Sequence, residues 1–143
     1  MNMRSRLGMV ALAAATLLFL VACSRVFYVK PAGRLGEAIT FPFYEEVADG
    51  KPTDHTITQF AVQERTGTNW TLVWGLTGNR SLSAITYGAK YEGFTEAMPA
   101  KPLSRGSKYR VVTSDLPRFK PAGAAVAYFV FDESGALVVS DPK

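Results

Sequence analysis

The sequence predicts an all-β domain of about seven short strands, and three observations carry that expectation. Apolar residues alternate at a period of two rather than 3.6 along several stretches. Those stretches are separated by groups rich in Gly, Asn, Asp and Ser, which supply the positive φ angles and local side-chain bonds that reversals need. No capped helical run follows the first 22 residues. The length of 143 residues supports one domain, and 48% hydrophobic content with nine Phe, six Tyr and two Trp excludes a disordered chain.

The elements follow in order. Residues 24–36 begin with an apolar alternation and pass into a Pro- and Gly-containing stretch, which reads as a tether with a possible first strand. Ile39 to Tyr44 is extended, but Pro42 within it cannot donate to a ladder, so an edge strand or a bulge is expected. Thr56–Glu64, Trp70–Leu76, Leu82–Tyr87, Tyr109–Ser114, Ala124–Phe131 and Ala136–Val139 alternate as strands. Between them, Asp49-Gly50, Thr66 to Asn69, Thr77 to Arg80, Gly106-Ser107 and Glu133 to Gly135 read as turns. Trp70, Leu72, Trp74 and Leu76 share one face and are assigned to the core. Ala125, Ala127, Phe129 and Phe131 occupy one side of their strand and Val126, Tyr128 and Val130 the other, so that strand is expected to be central and covered on both faces. A two-layer sandwich fits these elements better than a large barrel.

Residues 1–22 have a cationic start, an apolar stretch and a small-residue approach to Cys23. Leu7 to Ala22 is 16 residues long, short of the roughly 20 that a spanning helix needs, so export followed by cleavage is expected. The run Leu20-Val21-Ala22-Cys23 resembles the lipobox of bacterial lipoproteins. That resemblance implies that the Cys23 thiol receives diacylglycerol, the bond before it is cut and the new amine is acylated. It implies attachment to a membrane rather than spanning, because two or more acyl chains hold firmly where one is marginal. Ser24, by similarity to sorting in Gram-negative bacteria, implies the outer membrane with the domain facing the periplasm; the inner membrane typically uses Asp at that place. The division expected is therefore signal peptide 1–22, lipidated cysteine and tether 23–36, and β-sandwich domain 37–143.

In the second half, Leu103, Gly106 and Tyr109, followed by Arg110-Val111-Val112, resemble the tyrosine corner of fibronectin type III and immunoglobulin-like domains. In that family the phenol bonds to backbone upstream and fixes the crossing between sheets. The resemblance implies an immunoglobulin-like β-sandwich. Only the corner is carried over, since two strands rather than one follow Tyr109 and Tyr87 stands too near it for the family's strand order. Lipobox and sandwich together resemble small envelope lipoproteins of proteobacteria, which implies a location and a fold and leaves the activity open.

The composition narrows the function classes. Without residues 1–22, which carry Arg4 and Arg6, 14 Lys plus Arg stand against 12 Asp plus Glu. The basic excess that nucleic-acid binding requires is then largely gone, and no nucleic-acid partner is expected. One Cys and one His exclude an internal disulfide and a Cys/His zinc site. Asp49-Gly50 and Asp54 lack the ligand pattern of a calcium loop, and no metal or cofactor is expected. His55 follows Asp54, but neighbours on an extended chain point to opposite sides, so no dyad is formed there and a surface-loop histidine is expected. No nucleophile elbow or spare thiol occurs. Glu45/Glu46 and Asp132/Glu133 are assigned to solvated strand ends rather than to glycan hydrolysis.

Charge is unevenly distributed. Residues 37–64 hold six acids and one base, and residues 101–120 hold six bases and one acid, Asp115, so an electrically two-sided domain is expected. Tyr87, Tyr91 and Phe94 lie in a Gly-containing loop; with Lys101, Arg105 and Lys108 they form the candidate binding surface, against the alternative that the aromatics cap the core. The functional expectation is a lipid-tethered, non-enzymatic periplasmic module that binds an envelope protein or contributes structurally. The alternatives are a cell-wall hydrolase, favoured by carboxylates clustered in a deep cleft, and an accessory lipoprotein of a secretion machine.

Overall fold

The computed structural model describes residues 25–45, 50–118 and 122–141. Leu20, Val21, Ala22 and Cys23 lie outside the described residues, as do Glu46, Asp49 and Lys120, so the signal and lipidation expectations fall outside them too. Ten strands and no helix are present among the described residues: β1 (Arg25–Val26), β2 (Tyr28–Val29), β3 (Thr40–Tyr44), β4 (His55–Thr66), β5 (Asn69–Leu82), β6 (Ala84–Thr86), β7 (Phe94–Met98), β8 (Lys108–Asp115), β9 (Gly123–Phe131) and β10 (Leu137–Ser140). A seven-stranded mixed sheet runs β1-β9-β8-β4-β5-β7, with β10 also paired to β9, and a three-stranded sheet runs β2-β3-β6. The expected all-β class is present, with ten strands among the described residues in place of about seven: β4 and β5 are longer than expected, and β1, β2, β6 and β7 are short.

Two of the chain's four crossings between the sheets turn on a single residue. The first segment pairs parallel to β9 at Arg25 and Val26, then passes through buried Phe27 to pair antiparallel with β3 at Tyr28 and Val29. After Leu82 the chain leaves the large sheet at Ser83 and enters the small one as β6. The predicted strand Leu82–Tyr87 is thus divided between sheets. Buried side chains of both sheets meet in one core: Phe41 lies 5.2 Å from Phe60 and 5.9 Å from Phe129 between ring centroids, and Phe60 lies 5.7 Å from Trp74. Edge-to-face arrangements dominate, as the aromatic quadrupole favours.

The long hairpin β4–β5 turns over a two-residue loop with Gly67 at φ 64°, a positive angle that Gly adopts without steric cost. Its ladder is broken twice. Val62 pairs with Trp74 and Gln63 with Leu72, which leaves Val73 as an extra residue. This bulge inverts the face of everything before it. Trp74 and Leu76 are buried, whereas Trp70 and Leu72 turn outward, correcting the assignment of all four to the core. The second break places Gly78-Asn79 opposite Thr58 alone. The predicted turn Thr77 to Arg80 is therefore a bulge inside β5. Gly78 is required there by the close approach of β7: a Cβ would collide with the Gly93 carbonyl and Phe94.

Two further expectations are corrected. Pro42 stands in β3, the middle strand of the small sheet, not in an edge strand. Its carbonyl accepts Lys30 N–H at 3.1 Å, and its missing donor falls between that bond and the Ala32–Thr40 bridge, where the pairing is already interrupted. Strand β9 is central, but only Gly123, Ala125, Ala127, Phe129 and Phe131 are buried; Val126 on the other face is 51% exposed. The small sheet covers one side of the large one, and nothing among the described residues covers the other.

Candidate functional site

Strand β8 carries buried Tyr109, Val111, Thr113 and Asp115 at alternate positions, so a carboxylate ends an otherwise inward-facing row. Asp115 pairs across the ladder with Gly123, which in turn pairs with Arg25. A Cβ on Gly123 would collide with Asp115 Oδ1 and crowd Arg25 and Phe27, so glycine there makes room for the guanidinium to reach the carboxylate. Arg25 Nη2 bonds Asp115 Oδ2, and Arg25 Nη1 donates to Glu45 at 3.2 Å.

The same Asp115 oxygen accepts from His55 Nδ1 at 2.8 Å. His55 Nε2 lies 3.0 Å from the Thr53 hydroxyl and 3.7 Å from Glu45 Oε2. The ring stacks on Phe27 at 4.6 Å and meets the edge of Phe43 at 6.1 Å. His55 is 3% exposed, which overturns its placement in a surface loop. The sequence neighbour Asp54 is not its partner; Asp115, sixty residues away, is. Asp115 Oδ1 is buried without a hydrogen-bond partner among the described residues. A cleft of about 230 Å³ opens over this cluster, lined also by Asp54, Thr56, Pro117 and Arg118. Among the described residues no three His, Cys, Asp or Glu side chains are grouped to hold a metal ion.

The Arg25–Asp115–His55 chain ties β1, β8 and β4 together. Burial of a carboxylate is costly unless its charge is paired and hydrogen-bonded, and here one oxygen receives both donors. Thr53, His55 and Asp115 form a hydroxyl–imidazole–carboxylate chain. The shared Arg25 holds the carboxylate as one half of an ion pair, and two phenylalanines confine the ring.

The sequence-selected residues fall into separate neighbourhoods. Tyr87, Tyr91 and Phe94 are half-buried and pack against the core. Tyr87 meets Trp74 edge-on at 5.1 Å and donates its hydroxyl to the Lys101 carbonyl at 2.6 Å; burial pushes its phenol pKa well up. Tyr91 accepts Thr86 N–H at 2.8 Å, and with Phe94, Glu96 and Leu76 lines a recess of about 330 Å³. Phe94 opens β7, an edge strand that the sequence did not suggest, and Glu96 on it accepts the buried Trp74 indole N–H at 3.0 Å. Lys108 sits over the Tyr128 ring at 5.9 Å, and Arg110 over Trp70 at 4.6 Å, on the outer face of the large sheet. Arg105 lies beside Gly135 in the β9–β10 turn.

At the proposed corner, Tyr109 is buried, stacks on Phe129 at 5.3 Å and accepts Ser104 N–H at 2.8 Å. Leu103 packs against the core and Gly106 has φ 79°. The acidic and basic stretches do not form two sides: β4 from the first pairs with β8 from the second along seven residue pairs. In the turn after β9, Asp132 Oδ1 accepts from Ser134 and from Ala136 N–H, and these bonds, the Ser134 hydroxyl foremost, hold its pKa below the ordinary carboxylate value.

Comparison of the chain with family models, with curated proteins and with solved structures gave no match.

Proposed function

We propose that the chain is a lipid-anchored envelope protein, held at the outer membrane with its domain in the periplasm, that acts as a non-enzymatic binding or structural module. The observation that carries this reading is Leu20-Val21-Ala22-Cys23 at the end of a short apolar run, with the first strand beginning two residues later at Arg25. A folded domain starting immediately after the anchoring cysteine needs no further membrane element, and among the described residues no helix is long and apolar enough to cross a membrane. The finer fold reading proposed here is an immunoglobulin-like sandwich, supported by the Tyr109 bond to Ser104 and by the core between two sheets. The partner proposed is an envelope protein, with a secretion machine as one setting. The test of the anchor is Cys23→Ser in the full chain: loss of fatty-acid-analogue labelling and accumulation of unprocessed precursor are expected, and undiminished labelling refutes the anchor.

One observation favours a second reading, a cell-wall hydrolase: Thr53, His55 and Asp115 stand in hydrogen-bond sequence at a cleft. The ion pair to Arg25 and the enclosure of the ring by Phe27 and Phe43 favour a structural use of the same atoms.

A further inference from the structure

We propose that the end of the domain bearing the cleft rests on the bilayer, with Leu116 entering the interface between zwitterionic phospholipid headgroups. The proposal deepens the anchored reading and rests on it. Cys23 and Arg25 are separated by two peptide units, a reach of about 7 Å even when fully extended. Arg25 is fixed in turn, since its N–H donates to the Ala122 carbonyl at 3.1 Å and its side chain is tied to Asp115 and Glu45. A diacylglyceryl group on Cys23 therefore brings this end, and no other, to headgroup level.

The strand directions define what lies there. Strand β1 runs parallel to β9, and β8 and β4 run antiparallel in succession, so the starts of β1, β9 and β4 and the finish of β8 share one end. Only β9 separates β1 from β8, a spacing of about 10 Å across two ladders. Leu116 follows β8 directly, held by its N–H to the Thr56 carbonyl at 2.8 Å, yet its side chain is 55% exposed. An apolar side chain fixed by backbone and presented to solvent beside the anchor is placed to insert at an interface. The charges presented near it are of both signs: Arg118 and Asp54 are exposed and Glu45 half-buried at the same cleft. Such a mixture matches paired phosphate and ammonium groups and offers no net attraction to a strongly anionic surface.

The test uses the acylated full chain in vesicles of phosphatidylethanolamine and phosphatidylcholine. An environment-sensitive fluorophore is attached at Leu116→Cys and, separately, at Thr68→Cys in the β4–β5 turn at the opposite end. Cys23 is blocked by its thioether, so each variant has one free thiol. The label at 116 is expected to shift to the blue and to lose emission when brominated acyl chains are present, with the label at 68 unchanged. If both labels stay in water while the protein floats with the vesicles, the docking is wrong and the anchor stands. If the chain takes up no fatty acid, the anchor and the docking fall together. Entry at 116 is expected to weaken when phosphatidylglycerol replaces most of the lipid; equal or stronger entry there means that the headgroup assignment is wrong while the insertion stands.

Discussion

Tyr109 and Tyr91 close their loops by the same device, a hydroxyl accepting the backbone N–H five residues upstream. Removing the Tyr109 hydroxyl leaves Ser104 N–H without that acceptor while the ring keeps its stacking on Phe129. Tyr109→Phe is expected to lower stability by about 1–3 kcal/mol in denaturant unfolding, the cost of one unsatisfied donor; a neutral result means that no such corner exists. His55 shows the opposite side of residue-scale reading. Its local sequence of Pro, Thr and Asp describes a turn, and nothing nearby reveals Asp115. The signal was in the partner: Asp115 is the one acid in a basic stretch and stands in phase with Tyr109, Val111 and Thr113, a position that buries it.

At the scale of elements, the bulge at Val73 separates two tryptophans that a strict alternation would treat alike. Trp74 is fully buried with its indole N–H on Glu96, while Trp70 lies outside between Arg110 and Tyr128. Trp74→Ala is expected to cost about 3–5 kcal/mol. Trp70→Ala is expected to cost much less, within about 1 kcal/mol, since a cation–π contact at an exposed site is worth little more. Equal losses would show that the bulge does not persist in solution. Alternation made β8, β9 and β10 legible to within two residues because each follows its partner without a break in register, and it located β4 to the same margin although the buried face of that strand switches between Ile57 and Phe60. It did not locate β7, whose Phe-Thr-Glu-Ala-Met is short, edge-placed and half-exposed, nor the two β5 bulges, because one inserted residue leaves local composition unchanged and reverses every later side. The polar cleft was least legible, since its members come from four separate parts of the chain.

For the whole molecule, the candidate binding residues divide by what they hold. Tyr91 supports the loop between β6 and β7 through its hydroxyl and its packing, so Tyr91→Ala is expected to lower thermal stability by about 1–3 kcal/mol. Reversing charge at exposed Arg105 and half-buried Lys108 is expected to change stability by no more than about 1 kcal/mol, the scale of a surface charge and of the Lys108–Tyr128 contact, and to weaken capture of an envelope protein at low salt. Capture unaffected by the charge reversal would place the partner's contact elsewhere than the Arg105–Lys108 region. These residues belong to the end where β8 begins, and the cleft belongs to the end where it finishes, so a basic stretch continuous in sequence serves two distant places.

The parallel pairing of β1 with β9 also decides how the molecule bears mechanical load. Tension applied at Cys23 along the axis of β1 meets Arg25 N–H to Ala122 and Phe27 N–H to Ala124, two bonds that lie across that pull and take it together. The part-buried Arg25–Asp115 ion pair sits in the same row and adds a side-chain fastening to the backbone one. A strand peeled from its end would yield one bond at a time; a strand sheared along its length yields only when all of them fail. Under the proposed anchor, load entering at the first strand would meet this row before it reached the core.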